Sequence, residues 1–242
     1  MSYSTANDDP NYRLDLIHLA NMRRYDPGVT CVQLFIATSM VGDGPALHDP
    51  HEGGLIVKRN TSLKSNVGRD FSSCALNLRL IAEEASPDDY ILFTNRSGYG
   101  PTMDGWYSKY IEQYHRHPNV QLCGTSINFL GHPDLPHPNT THVQTYAFMG
   151  KMRDFAEFVE QFPGERETER LQVIQEGEIG LSRRIMERGG AITSLAWPEV
   201  AFTKSMPNSP AHPFKDIKGD LSGLPFLYRM KEYENIYGHP DI

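Results

Sequence analysis

Two polar turns carry residue types able to grip a nucleotide, and a third segment carries carboxylates able to take a proton. Asn66-Val-Gly-Arg-Asp70 combines an amide, a glycine, a cation and a carboxylate in one short run. Gly68 allows close backbone approach, while Arg69 and Asp70 offer opposite charges beside a helix start, suited to a ligand with both hydroxyls and a diphosphate. Asp70 equally suits a plain helix cap. Asn95-Arg-Ser97 follows the apolar run Tyr90-Ile-Leu-Phe-Thr94, where a buried strand hands over to a turn. An Asp-x-Asp triplet there would hold a divalent metal through hard oxygen atoms. Asn95 and Ser97 are neutral and suit hydrogen bonds to a sugar or phosphate, or an ordinary β-turn. In Glu176-Gly-Glu178 either carboxylate could deprotonate a hydroxyl, or both could simply favour a helix N-terminus.

The elements that must position these groups alternate between strand and helix. Residues 1–12 read as a loose polar lead-in. Helical spacing of Leu14, Ile17, His18 and Met22 predicts a helix over Tyr12–Tyr25, ended by Pro27-Gly28. Strands are expected at Cys31–Met40, Leu55–Asn60, Tyr90–Thr94, Val120–Gly131, His142–Gly150 and Ala191–Trp197. Helices are expected at Phe71–Ala85, Asp104–His115, Lys151–Phe162 and Glu165–Gly189, the last interrupted around Gly177 and Gly180. A proline- and histidine-rich loop fills His132–Thr141. Residues 198–242 read as a wrapping tail with a short helix near Tyr228–Tyr237. This order predicts one α/β domain with a mixed, mostly parallel central sheet flanked by helices.

Composition narrows the function classes. A chain of 242 residues can bury one sizeable core, which favours a single domain. The net charge of −7 argues against sequence-independent nucleic-acid binding. Cys31, Cys74 and Cys123 are odd in number and widely spaced, so neither a disulfide framework nor a zinc site is expected, and a reducing, cytoplasmic setting fits. No apolar run is long enough to span a membrane.

Asn66-x-Gly-Arg-Asp70, a helix, Tyr90-Ile-Leu-Phe and a polar triplet together resemble the central half of GT-A nucleotide-sugar glycosyltransferases. The variant is similar to polysaccharide (rhamnan-synthesis-like) enzymes and to glycosyltransferase domains of large algal viruses. Phe93–Pro101, Gly124-Thr-Ser-Ile-Asn128 and His142-Val-Gln-Thr145 look like the same group. The resemblance spans roughly Cys31 to Leu195.

It implies a GT-A-like fold, whose leading strand, with its end against the nucleobase, would here be a very short one near Ser2–Ala6 or else lie in a longer chain from which this domain is cut. It also implies transfer of a sugar from a nucleoside diphosphate donor (UDP-, GDP- or dTDP-linked) to a glycan or glycoprotein acceptor. Asn66, Arg69 and Asp70 would hold the nucleoside and ribose, and Asn95 and Ser97 would stand where the metal-binding triplet belongs. Mn²⁺ or Mg²⁺ would be held, if at all, with help from His142 and Asn95. Laying Arg184-Ile-Met-Glu-Arg-Gly189 on the family's Arg-Leu-x-x-x-Gly pattern puts Glu178 at the base position of an inverting transfer, with Glu176 as its rival. Trp106 is a candidate sugar platform, though aromatics at helical spacing also suit a core, and Asn128 and Gln144 are candidate acceptor contacts. Two other readings stay open: a non-catalytic nucleotide-sugar- or carbohydrate-binding domain of the same fold, and a nucleotidyltransferase, which lacks here a lysine-bearing phosphate loop.

Overall fold

The structure, a computed structural model, describes residues 1–8, 12–47, 54–129, 141–206 and 223–228. Its strands are β1 (Ser2–Ala6), β2 (Val32–Ser39), β3 (Ile56–Lys64), β4 (Tyr90–Asn95), β5 (Gly98–Tyr99), β6 (Val120–Gly124), β7 (Ile127–Asn128), β8 (His142–Val143), β9 (Ala147–Lys151), β10 (Ala191–Ser194), β11 (Ala201–Phe202) and β12 (Leu227–Tyr228). The helices are α1 (Tyr12–Arg24), α2 (Arg69–Ala82), α3 (Ser108–Arg116), α4 (Met152–Phe155), α5 (Arg170–Gln172) and α6 (Gly180–Glu187). A π-helical stretch, Val173–Ile179, joins α5 to α6.

Eight strands form one sheet in the order β11-β10-β6-β9-β4-β1-β2-β3. The neighbours β3, β2, β1 and β4 are mutually parallel, as are β6 and β10, while β9 and β11 run antiparallel to theirs. The chain is therefore α/β, with a large, mixed, mostly parallel sheet flanked by helices. Side chains alternate between the two faces, as the pleat requires. Phe35, Ile91, Phe93, Leu122, Phe148 and Ile192 pack with α2 and α6 on one face. Leu34, Ile36, Leu92, Cys123 and Met149 pack with α1 and α3 on the other.

The lead-in expected over residues 1–12 is corrected. Ser2–Ala6 forms β1 at the middle of the sheet, between β2 and β4. Its hydroxyl-rich sequence is buried because each polar group finds a partner. Ser2 Oγ accepts from Asn77 Nδ2 at 3.0 Å, Thr5 Oγ1 donates to Asp15 Oδ2 at 2.6 Å, and Tyr3 OH donates to Asp15 Oδ1 at 2.5 Å.

Three further expectations shift. The second strand runs on to Lys64 instead of ending at Asn60. The His142–Gly150 strand divides into β8 and β9. The helix through Gly177 and Gly180 is continuous, its irregularity taken up by the π-helical stretch. In the tail, β11 joins the main sheet and β12 pairs with β5. Most of the His132–Thr141 loop, and the helix expected near Tyr228–Tyr237 apart from Tyr228 itself, lie outside the described residues.

Candidate functional site

The strand order β3-β2-β1-β4 reverses direction of travel between β1 and β4, and open parallel sheets receive ligands outside the carboxyl ends of strands at such a point. The residues arriving there are Asn7 after β1, Lys64 at the end of β3, Arg69 and Asp70 opening α2, and Asn95 ending β4. Asn7 shapes the rim. Its amide donates to Gly42 O and Gly44 O at 2.6 and 2.8 Å and accepts from the Val41 and Gly42 amides, which pins the loop after β2.

Asp70 is not the helix cap. Gly68 takes that position in the left-handed conformation (φ 67°), with no side-chain capping bond. A Cβ at Gly68 would lie 2.0 Å from Glu165 O, so only glycine admits the 165–167 segment onto the start of α2. Asp70, one residue into the helix, is free to face the crevice, and its Oδ2 accepts from Asn95 Nδ2 at 3.0 Å. Asp70 keeps part of its residue surface exposed, but the density of protein around its carboxyl decides the direction of its shift. Burial pushes its pKa up to about 6 against the pull of the Arg96, Lys64 and Arg69 cations.

Glu178 sits on the π-helical stretch, in mid-helix rather than at the N-terminus expected for the plain reading. The stretch reaches α2 because Gly177 has no side chain. A Cβ there would meet the Phe71 ring at 2.5 Å, and one at Gly164 would meet Gly177 Cα at 2.7 Å. Gly68, Gly164 and Gly177 thus form a junction that draws Glu178 toward Asp70. Arg79 braces it, donating to Val159 O, Glu160 O and both Glu165 carboxylate oxygens.

The Glu178 pKa rises to about 7, first through burial and then through the Asp70 charge, with Arg170 opposing. The two carboxyls feel one another and so titrate as an interacting pair. π-helical turns recur at functional sites because they re-aim a side chain within a helix. Glu176, two residues earlier, faces elsewhere and lies 3.7 Å from Arg183.

The Asn95–Ser97 turn folds inward. Asn95 Oδ1 accepts from the Ser97 amide at 2.9 Å, and its Nδ2 serves Asp70 and also Thr145 O at 3.4 Å. Arg96 turns back under β1, bonding Asp15 Oδ2 at 2.6 Å, Thr5 Oγ1 at 2.8 Å, Ala6 O and Asp8. Behind the turn Asp70, Phe71, Cys74, Phe93, Asn95, Thr145 and their neighbours line a cavity of ≈ 10 Å³, room for about one water.

A divalent ion needs several convergent oxygen ligands. Asn95 Oδ1 already accepts one hydrogen bond, and the described residues contain no group of three or more His, Cys, Asp or Glu that could hold a metal. His142 is buried on β8, opposite Asn128 in register. As folded, the Asn95–Ser97 turn supplies no carboxylate to the metal position expected there.

The other expected contacts separate. Asn66 and Arg69 are exposed at the crevice mouth, with Asn66 O accepting from the Arg69 amide at 3.2 Å. Ser97 is partly buried beside Asn95. Trp106 is corrected: it is fully buried in the α1/α3 core and donates from Nε1 to Tyr25 O at 3.1 Å, so neither ring face meets a sugar. Gln144 Oε1 accepts from Ser126 Oγ at 2.7 Å, and that hydroxyl also lies 3.0 Å from Tyr146 OH. With Asn128 on β7 these form a partly exposed polar patch following β6 and β8.

Lys64 escaped the sequence reading, because polar β3 was expected to end sooner. Its signal was the continuing alternation through Thr61 and Leu63 on an edge strand. No protein-family model matches the chain, and no curated protein matches it. Among the described residues no helix is long and apolar enough to cross a membrane.

Proposed function

We propose that this chain is a GT-A-like glycosyltransferase that moves a sugar from a nucleoside diphosphate donor to a glycan acceptor with inversion. The observation that carries the reading is Glu178, a carboxyl with a pKa of about 7, drawn toward Asp70 at the carboxyl end of the parallel strands. A base poised near neutrality combines a useful fraction of carboxylate with enough basicity to take a hydroxyl proton. In the reaction the acceptor oxygen attacks the anomeric carbon and passes its proton to Glu178. The bond from that carbon to the diphosphate breaks, and the diphosphate leaves with the electron pair. Asp70 and Asn66 hold the ribose end of the donor, Arg69 meets the developing phosphate charge, and Ser126, Gln144 and Asn128 receive the acceptor. The buried β1 supports the reading, since it supplies the leading strand whose end should contact the nucleobase.

One observation favours a second reading, a domain of the same fold that binds nucleotide sugar without transferring it: the inward-folded Asn95–Ser97 turn presents no carboxylate to a metal. Incubating the protein with a panel of nucleotide sugars and glycan acceptors, with and without EDTA, separates the two. Release of free nucleoside diphosphate supports transfer. Donor binding without release for any member supports the binding domain. Neither binding nor release contradicts both.

A further inference from the structure

We propose that Lys64 and Arg69 form a metal-free seat for a diphosphate at the mouth of the β1/β4 crevice. Identifying that diphosphate as part of a sugar donor rests on the function proposed above. The seat itself rests on four features of this chain.

The first is the inward engagement of the Asn95–Ser97 turn. The amide of Asn95 is committed to Asp70, Thr145 and Ser97, and Arg96 is committed to the underside of β1. The turn that should carry positive charge to the ligand carries none outward. The second is the placing of Lys64. It is the last residue of β3, beside the end of β2, where its Nζ donates to Ser39 Oγ at 2.8 Å and to Ser65 O at 2.6 Å. Those two neutral acceptors fix the ammonium without neutralising it, and an ammonium has a third N–H to give.

The third is that neither cation is claimed. Among the described residues, Lys64 and Arg69 have no carboxylate within ion-pair distance, whereas Arg59, Arg79, Arg96, Lys151 and Arg188 all do. The fourth is their shared field. Both act on the Asp70 carboxyl, so both lie within electrostatic reach of one point in the crevice. Burial lowers Lys64 to about 8, so it still carries its proton near neutrality, and a bound anion would hold that proton more firmly. The two cations, one ending β3 and one opening α2, supply one positive charge for each phosphate of a diphosphate. Arg69 can grip one in bidentate fashion, and Lys64 acts as a point charge on the other.

The test titrates inorganic pyrophosphate calorimetrically into the full chain in the presence of EDTA, using wild type, Lys64→Met, Lys64→Arg and Arg69→Met. The expected result is binding by wild type without metal, weakened about tenfold or more in Lys64→Met and in Arg69→Met, and largely kept in Lys64→Arg. Arg69 is exposed, so its variant reads the seat without disturbing the core. The proposal is overturned if wild type binds pyrophosphate only after Mn²⁺ or Mg²⁺ is added, or if Lys64→Met and Arg69→Met both bind like wild type. Failure of the transferase reading looks different: pyrophosphate binding stays intact and Lys64-dependent while no nucleotide sugar is turned over.

Discussion

Asn95 Nδ2 donates to Asp70 Oδ2 across 3.0 Å, joining the end of β4 to the first turn of α2. The bond fixes the orientation of the amide at the position of the expected metal triplet. Asn95→Asp would place a second carboxylate against Asp70 and remove the donor to Thr145 O. The expected loss is about 2–3 kcal/mol of stability near neutral pH. Two adjacent carboxylates also make an oxygen-rich pair, so Mn²⁺ should raise the Tm of this variant while leaving nucleotide-free wild type unchanged. Thermal melts with and without Mn²⁺ check it. An equal rise in wild type would restore the metal role of this turn.

Asp70 also gives the fold a dependence on pH. Its pKa is raised from 3.8 to about 6 in the native state, so the folded chain holds this proton more tightly than the unfolded chain. The resulting stabilisation is full below the unfolded pKa and is lost as pH rises through about 6. Glu178, raised from 4.5 to about 7, acts in the same sense. His18 acts in the opposite sense: burial lowers its pKa from 6.5 to about 3, so its neutral form loses stability as pH falls through that range. Asp70→Asn removes one of these contributions. Urea unfolding at about pH 4 and about pH 8 should show the variant gaining on wild type by about 1–3 kcal/mol at the higher pH. A gap that stays constant with pH would mean the Asp70 proton is not held as described.

Gly177 tests how Glu178 is brought to Asp70. A methyl group there would meet the buried Phe71 ring at 2.5 Å, and neither the ring nor the helix can move without disturbing the core. Gly177→Ala should destabilise the chain by about 1–3 kcal/mol. It should also push the helix away from α2, lowering the Glu178 pKa toward the ordinary carboxylate range as burial and the Asp70 charge recede. Carboxyl titration by NMR reads the shift. An unchanged Glu178 pKa in a folded variant would show that the glycine junction does not set its position.

Much of the sheet was legible because its core strands are apolar runs bounded by turn residues, as at Val32–Ser39 and Tyr90–Asn95. β1 was legible only as the short leading strand near Ser2–Ala6 that a GT-A-like fold would need, because Ser-Tyr-Ser-Thr has little apolar signal of its own, and what buries it comes from Asp15 on α1 and Asn77 on α2. Partners that far along the chain leave no local trace. The two polar turns fall at strand and helix ends, as expected. The directions of the side chains were not legible. Arg96 points inward because a buried aspartate waits beneath β1, and Trp106 is core because helix spacing alone does not say which face is covered. The π-helical stretch also escaped notice, since its glycines read as breaks when they serve as points of close contact.

In the proposed transfer, Glu178 takes the acceptor proton. It is tested most directly by comparing nucleoside diphosphate release by wild type and Glu178→Gln with a productive donor and acceptor pair across pH, with donor affinity measured in parallel. With Glu178 as the base, the wild-type rate should rise with pH through about 7, and the Glu178→Gln rate should be lower by about a hundredfold or more with donor affinity nearly unchanged. A Glu178→Gln enzyme that turns over at the wild-type rate, with the same rise through neutrality, would contradict it.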